Sequence, residues 1–149
     1  MEAVILCGLQ ASGKTTLYRD RFLETHARIA MDLLRTRARE AAFLCTCLDT
    51  RMPFVVDNTN PTVAERARYV APSREAGFKV VGYLVDVPFA VAQARNAARD
   101  RVVPMVGLGD VARRLVTPTP EEGFDEVWHA TAGPDGWRIE PLLTTPPLF

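Results

Sequence analysis

A run of residues near the start of the chain combines glycines with a lysine and a threonine. Residues 8–15, Gly-Leu-Gln-Ala-Ser-Gly-Lys-Thr, match the pattern G-x-x-x-x-G-K-[ST] in full. The glycines allow a turn whose backbone N–H groups point at phosphate oxygens, and the helix that follows adds its own unpaired N–H groups. Lys14 suits the β- and γ-phosphates of a nucleotide, and the Thr15 hydroxyl suits Mg²⁺. The residues expected to bind the cofactor here are Gly8, Gln10, Ala11, Ser12, Gly13, Lys14, Thr15 and Thr16.

An acid and an arginine stand three residues apart after the second predicted strand. The spacing of Asp32 and Arg35 places both side chains on one face of a helix start. Asp32 could accept a proton from an acceptor hydroxyl, and Arg35 could hold an anionic group of the substrate. The alternative is an N-cap aspartate beside a solvent-exposed arginine.

Four polar residues, Asp57-Asn58-Thr59-Asn60, follow the third predicted strand. Ligands in open α/β sheets gather at the carboxyl ends of strands, so Asp57 could reach the Mg²⁺ shell or the substrate. Asn58 and Asn60 are further candidates for substrate binding. The alternative is an Asx turn that leads into the helix after Pro61.

A third group of candidates is basic. Arg95 and Arg99 are four residues apart and face one way on a predicted helix, with Arg101 close behind. Such arginines could close over a polyphosphate and stabilise the charge that develops during phosphoryl transfer. The alternative is a solvated helix face.

Strands and helices alternate along the chain that carries these residues. Apolar runs and turn signals predict strands at 3–7, 28–31, 53–57, 78–85 and 126–130. Apolar spacing predicts helices at 15–24, 34–48, 62–76, 89–99 and 110–116, with Pro72 expected to kink or shorten the third. The alternation predicts a single α/β domain over residues 1–149, a P-loop NTPase three-layer sandwich with a mostly parallel sheet of about five strands. A small helical lid is expected at about 88–109, and a loosely packed or wrapping tail at about 131–149.

Composition bounds the possible partners. The 149 residues are 48% hydrophobic and carry 18 basic and 18 acidic side chains, so the formal net charge is zero. Residues 1–116 have a balance of +5 and residues 117–149 a balance of −5, so every candidate phosphate contact falls in the basic region. No apolar run is long enough to span a bilayer and no secretory signal is visible, so a cytoplasmic location is expected.

Taken together, the motifs resemble the kinase module of 5′-hydroxyl polynucleotide kinases, an AAA-type predicted kinase family. The resemblance covers roughly residues 3–128. The motifs that carry it are Gly8 to Thr16, Asp32 with Arg35, Asp57-Asn-Thr-Asn60-Pro61, Glu65-Arg-Ala-Arg-Tyr69, Ala76-Gly77, Arg95-Asn96, Val103-Pro104 and Glu122-Gly-Phe124.

The resemblance implies ATP or another NTP with Mg²⁺ as cofactors and a 5′-OH DNA or RNA end as acceptor. Asp32 would be the general base and Arg35 would bind the phosphate next to the reacting hydroxyl. Arg95 and Arg99 would be lid arginines on the donor phosphates, and Asp57 would lie near the acceptor or the metal. Lys14, Asp32 and Arg95 are thus the expected catalytic residues.

No phosphatase, ligase or adenylyltransferase domain, which many relatives carry, is expected within these 149 residues, and the segment between Arg35 and Pro53 is short. Two alternatives therefore stay open. One is a kinase for a sugar, nucleoside or antibiotic hydroxyl, and the other is a nucleotide-dependent regulatory protein without catalysis.

Overall fold

The centre of the molecule is a six-stranded sheet in the order β2-β3-β1-β4-β5-β6. A computed structural model of the chain describes residues 1–99 and 102–142. The first five strands of that order are parallel, and β6 runs antiparallel to β5. The strands are β1 (Glu2–Cys7), β2 (Ala27–Ile29), β3 (Phe54–Asp57), β4 (Lys79–Val85), β5 (Glu126–Gly133) and β6 (Gly136–Pro141).

The prediction of a mostly parallel α/β sheet is confirmed, but its count of about five strands is one too low. The sixth strand lies in the segment expected as a loose tail. A two-residue turn, Pro134-Asp135, joins β5 to β6, and Gly136 after it has φ +106°. Glycine accepts this left-handed geometry at little cost, so the turn closes a hairpin on the sheet edge.

In the part of the chain that the structure describes, six α-helices surround the sheet: α1 (Lys14–Arg21), α2 (Met31–Leu34), α3 (Arg37–Thr50), α4 (Val63–Glu75), α5 (Phe89–Ala98) and α6 (Met105–Arg114). The helix predicted at 34–48 is in fact two, because Arg35 adopts φ +75° and Thr36 caps α3 by accepting a hydrogen bond from the backbone N–H of Arg39. Helix α4 runs through Pro72, so the expected shortening there is wrong. Helix α6 starts five residues earlier than predicted, directly after Pro104.

The layers follow from the alternation of side chains along β1. Ala3, Ile5 and Cys7 pack with residues of α3 and α4 on one face of the sheet. Val4 and Leu6 pack with Leu17 of α1 on the other face. These five residues of β1 are fully buried, as a strand covered on both faces requires.

A smaller cluster joins the two helices α5 and α6 to the loop after β1. Leu9 of that loop packs with Ala92 of α5 and with Leu108 and Val111 of α6. Asn96 closes the unit, because its side chain both donates to the Val103 carbonyl at 2.6 Å and accepts from the Val103 N–H at 2.9 Å. This helical unit stands over the carboxyl edge of the sheet. Among the described residues, no helix is long and apolar enough to cross a membrane.

Candidate active site

The loop after β1 is shaped by a close approach of backbone. A Cβ on Gly8 would lie 2.5 Å from the Val85 carbonyl oxygen, so only glycine fits there. The Gly8 N–H donates to the Thr59 carbonyl at 3.0 Å, which ties the loop after β1 to the loop after β3. Gly13 has φ +105° and starts α1. The sequence therefore forms the strand–loop–helix context that a phosphate loop needs.

Lys14 is held inside this loop. Its ammonium group donates to the carbonyls of Gly8 at 3.1 Å and Leu9 at 2.6 Å, and the residue is only 8% exposed. Burial lowers the pKa of Lys14 to about 8, although the nearby Asp57 carboxylate opposes the shift. Ser12 Oγ and Gln10 Oε1 of the same loop are buried without a hydrogen-bond partner in the described part of the chain. Such polar atoms indicate a site built for a polar ligand, and a polyphosphate fits it.

Thr15 and Asp57 meet across the carboxyl edge of the sheet. The Thr15 hydroxyl donates to Asp57 Oδ2 at 2.8 Å, and Arg28 Nε donates to the same oxygen at 2.9 Å. Asp57 is 7% exposed, so the arginine neutralises a carboxylate that would be costly to bury alone. A hydroxyl beside a carboxylate is an oxygen donor set that suits Mg²⁺. These residues fit the metal that the motif implies.

Asp32 lies in the first turn of α2 and lines the same cavity as Lys14. The position of α2 depends on Asn58, whose Oδ1 accepts from the Met31 N–H at 2.9 Å. The amide nitrogen of Asn58 in turn donates to Glu40 Oε2 and to the Tyr69 hydroxyl, both at 3.1 Å. A buried polar network thus fixes the helix that presents Asp32.

The two arginines after Asp32 are placed differently. Arg35 is exposed at the end of α2 and does not line the cavity. Arg37 does line it, and its guanidinium donates to Glu40 Oε1 at 2.8 Å and to the Tyr69 hydroxyl at 3.1 Å. Of the two arginines, Arg37 therefore shares the cavity wall with Asp32 and Arg35 does not.

Two further arginines, Arg95 within α5 and Arg99 directly after it, belong to the cavity wall. Arg95 and Arg99 both line the cavity, and Arg99 Nε is buried without a partner in residues 1–99 and 102–142. Arg101 lies outside the described residues. Two guanidinium groups thus line the same cavity as Lys14.

Asn60 lies behind the cavity wall. Its amide nitrogen donates to the Leu6 carbonyl at 2.8 Å, and its own carbonyl accepts from Arg66 Nη1 at 3.0 Å. Asn60 is 4% exposed and is not among the cavity residues, whereas Asp57, Asn58 and Thr59 are. The asparagine thus braces the loop after β3.

The cavity has a volume of about 670 Å³, which lies in the range of small-molecule sites. Five basic side chains and two acidic ones line it, so it favours an anionic ligand. The basic residues are Lys14, Arg28, Arg37, Arg95 and Arg99, and the acidic ones are Asp32 and Asp57.

Several cavity residues are not predicted as site residues from the sequence, and three of them, Arg28, Arg37 and Trp137, have side chains that could bind a ligand. Arg28 is predicted only as a strand residue, although it is the one charged residue in the apolar run 27–31. Arg37 falls inside the helix predicted at 34–48, where no pattern marks it as a site residue. Trp137 was placed in the tail, and only the hairpin brings it to the cavity. Of the three, only Arg28 carried a usable sequence signal.

A parallel sheet with a phosphate loop after β1, an acid after β3 and a helical lid defines a P-loop kinase fold. Within that class, residues 29–118 match the model of a family described as AAA domain, and the chain belongs to this family.

Known relatives agree with this assignment. A bifunctional polynucleotide phosphatase/kinase from Schizosaccharomyces pombe is 26% identical over 132 residues, which are 85% of this chain and 32% of the relative. The chain spans about a third of the length of the curated relatives it matches. The resemblance indicated by the motifs is confirmed at the level of the family.

Solved structures show the same fold. Kti12 from Chaetomium thermophilum in complex with ADP-AlF3 superposes with a TM-score of 0.67 at 16% identity, over 85% of this chain and 87% of that one. A sugar kinase from Janibacter superposes with a TM-score of 0.62 at 19% identity, over 87% and 85%. The P-loop sandwich predicted from the sequence is confirmed.

Proposed function

We propose that the protein is a Mg²⁺-dependent kinase that transfers the γ-phosphoryl group of ATP or another NTP to a hydroxyl, namely the 5′-OH of a polynucleotide end. The observation that carries the proposal is one cavity with a phosphate loop and lid arginines around one part and an exposed carboxylate, Asp32, in its wall. Phosphoryl transfer needs a positioned donor, a positioned hydroxyl and compensation of spread negative charge. The cavity contains side chains for each requirement.

The donor side is formed by the phosphate loop and α5. The loop N–H groups and Lys14 would hold the polyphosphate, and Arg95 and Arg99 would compensate the charge of the transferring group. Thr15 and Asp57 would hold Mg²⁺, which supplies neutralisation of the donor phosphates when it is bound. Arg28 keeps the Asp57 carboxylate in place.

On the acceptor side, Asp32 would take the proton of the attacking hydroxyl. The hydroxyl oxygen then forms the new bond to phosphorus as the bond to the leaving nucleoside diphosphate breaks. The resemblance assigns the neighbouring phosphate to Arg35, whereas Arg37 is the arginine that lines the cavity. We assign to Arg37 a direct share in binding an anionic acceptor.

The polynucleotide acceptor is supported by the name of the curated relative and by the acceptor motifs. A small-molecule acceptor is the second candidate, because a cavity of about 670 Å³ is also of the size that encloses a nucleotide with a small substrate.

The deciding experiment is transfer from γ-labelled ATP with Mg²⁺ to a panel of acceptors. The panel contains a 5′-OH oligonucleotide, the same oligonucleotide with a 5′-phosphate as matched control, and a set of sugars, nucleosides and aminoglycosides. We expect label on the 5′-OH oligonucleotide alone. Label on a small molecule with unlabelled oligonucleotide would establish the second candidate. Tight nucleotide binding with no labelled acceptor would instead indicate a regulatory protein.

A further inference from the structure

The indole of Trp137 lies against the phosphate loop although its strand, β6, is at the far edge of the sheet. Its Nε1–H donates to Asp20 Oδ2 of α1 at 2.9 Å. At the other end of the ring, Cη2 lies 3.2 Å from the position of a Cβ on Gly13. The ring thus lies along α1, held by this hydrogen bond at one end and close to Gly13 at the other.

The surroundings of the ring leave part of it open to the cavity. Trp137 packs on the apolar cluster that contains Leu17 and Ala130, so its position is supported from the protein side. It is only half-buried, and it lines the cavity together with Thr16 and Ala132. An aromatic surface with a rigid support therefore borders the site beside the phosphate loop.

A phosphate group is charged and has no aromatic face, so it would not stack on the indole. Trp137 is the one aromatic side chain among the described residues that line the cavity, and the charged and polar side chains there match phosphates, a metal and a hydroxyl. The planar part of a nucleoside triphosphate is its base, which lies beyond the phosphates held by the loop. Every nucleobase has an aromatic face that stacks on an indole.

We propose that Trp137 stacks on the base of the donor nucleotide, an inference that rests on nucleotide binding by the proposed kinase. The hydrogen bond to Asp20 sets the tilt of the ring, so Asp20 is a positioning residue for the base. Because stacking does not read base edges, the contact favours nucleotides over bare polyphosphate and selects little between ATP and GTP.

The test compares two ligands of the phosphate loop by calorimetry: ADP, which has a base, and inorganic tripolyphosphate, which has none. Trp137→Ala is expected to weaken ADP binding on the order of tenfold and to leave tripolyphosphate binding unchanged. Trp137→Phe retains a stacking ring and should lose less. Trp128→Phe is the matched control, because Trp128 lies on the neighbouring strand and donates to Glu126 outside the cavity.

Fluorescence tests the same contact without altering it. The chain has two tryptophans, so the Trp128→Phe protein reports on Trp137 alone. Its emission should change on adding ADP and stay constant on adding tripolyphosphate. If Trp137→Ala fails to fold, this measurement still tests whether the base contacts Trp137. The same emission with and without ADP would contradict the contact.

Three outcomes would overturn the inference: an equal loss for both ligands, no loss for either, or tighter ADP binding by Trp137→Ala. The last would mean that the indole occupies the place of the base. Failure of the wild-type chain to bind either ligand would instead remove the proposed function.

Discussion

Asp32 owes its place in the cavity to a network of side chains centred on Glu40. Glu40 is 2% exposed and accepts hydrogen bonds from Arg37, Asn58 and Tyr69. Asn58 connects this network to the start of α2, because its Oδ1 accepts a hydrogen bond from the Met31 N–H. A four-residue helix has little stability of its own, so its orientation depends on that contact.

We expect Asp32→Ala to abolish transfer while nucleotide binding survives. A positioned general base contributes about 10²- to 10⁴-fold to a rate, whereas the donor phosphates are held by other residues. The measurement is kcat with the labelled acceptor, alongside ADP affinity by calorimetry. Leu33→Ala is the matched control, since Leu33 is the neighbouring exposed residue of α2. Full activity of Asp32→Ala would remove Asp32 from the mechanism.

Acceptors with and without a charged phosphate can show which of Arg35 and Arg37 binds the acceptor phosphate. We expect Arg37→Ala to raise KM roughly tenfold or more for a 5′-OH oligonucleotide, because a charge-assisted hydrogen bond contributes about 1.5–3 kcal/mol. KM should change little for the same oligonucleotide with a neutral methylphosphonate next to the reacting hydroxyl. Arg35→Ala is the comparison variant. If KM for the charged acceptor rises in Arg35→Ala and not in Arg37→Ala, Arg35 is the residue that binds the phosphate.

At the scale of elements, the sequence predicted what depends on local pattern. The apolar runs at β1, β3 and β4 and the phosphate loop were all visible, because buried strands and glycine turns leave local signals. The break between α2 and α3 was missed, since it depends on Arg35 at φ +75° inside an apolar pattern that reads as continuous. The place of Trp137 was hidden as well, because the hairpin pairs β6 with β5 and only the sheet brings that strand to α1.

One buried ion pair joins elements that are far apart in the chain. Arg66 of α4 is fully buried and donates to both oxygens of Glu122, at 2.7 and 2.9 Å. Its remaining N–H groups bond the carbonyls of Asn60 and Val116. The motifs around residues 65–69 and 122–124 therefore have a structural role: they anchor the loop after β3 and the segment after α6 to α4.

We expect Glu122→Ala to lower the free energy of unfolding by about 3–5 kcal/mol, because it leaves a buried guanidinium without its carboxylate. The double variant Arg66→Met/Glu122→Leu should cost less than the sum of the single variants Arg66→Met and Glu122→Leu, since no unpaired charge remains. Urea denaturation measures the free energy of unfolding of each variant. Arg138→Ala is the control, because the Arg138–Glu140 pair is exposed and should contribute under about 1 kcal/mol. Additive costs at Arg66 and Glu122 would contradict the coupling.

At the scale of the whole molecule, the net charge of zero hides a separation. Acidic side chains of the segment after residue 116 pair with basic ones, Glu122 with the buried Arg66 and Glu126 with the half-exposed Lys79 at 2.8 Å. The basic residues that line the cavity outnumber its acidic ones by five to two. The wall of the cavity therefore has a net positive charge, although the formal charge of the whole chain is zero.

This separation predicts how acceptor binding responds to salt. The quantity to plot is the logarithm of 1/KM, which stands for the association constant of the acceptor, against the logarithm of salt concentration. A cavity that contacts one or two phosphates of a single-stranded end should give a slope of about −0.7 to −1.4, since each neutralised phosphate of a single strand contributes about −0.7. The measurement is KM for a 5′-OH oligonucleotide over a series of potassium chloride concentrations, at saturating ATP and Mg²⁺. Oligonucleotides of increasing length provide the control, because a site that holds only the end should bind a short one as well as a long one. A slope steeper than about −4, or affinity that rises steadily with length, would mean six or more phosphate contacts and a binding track outside the cavity.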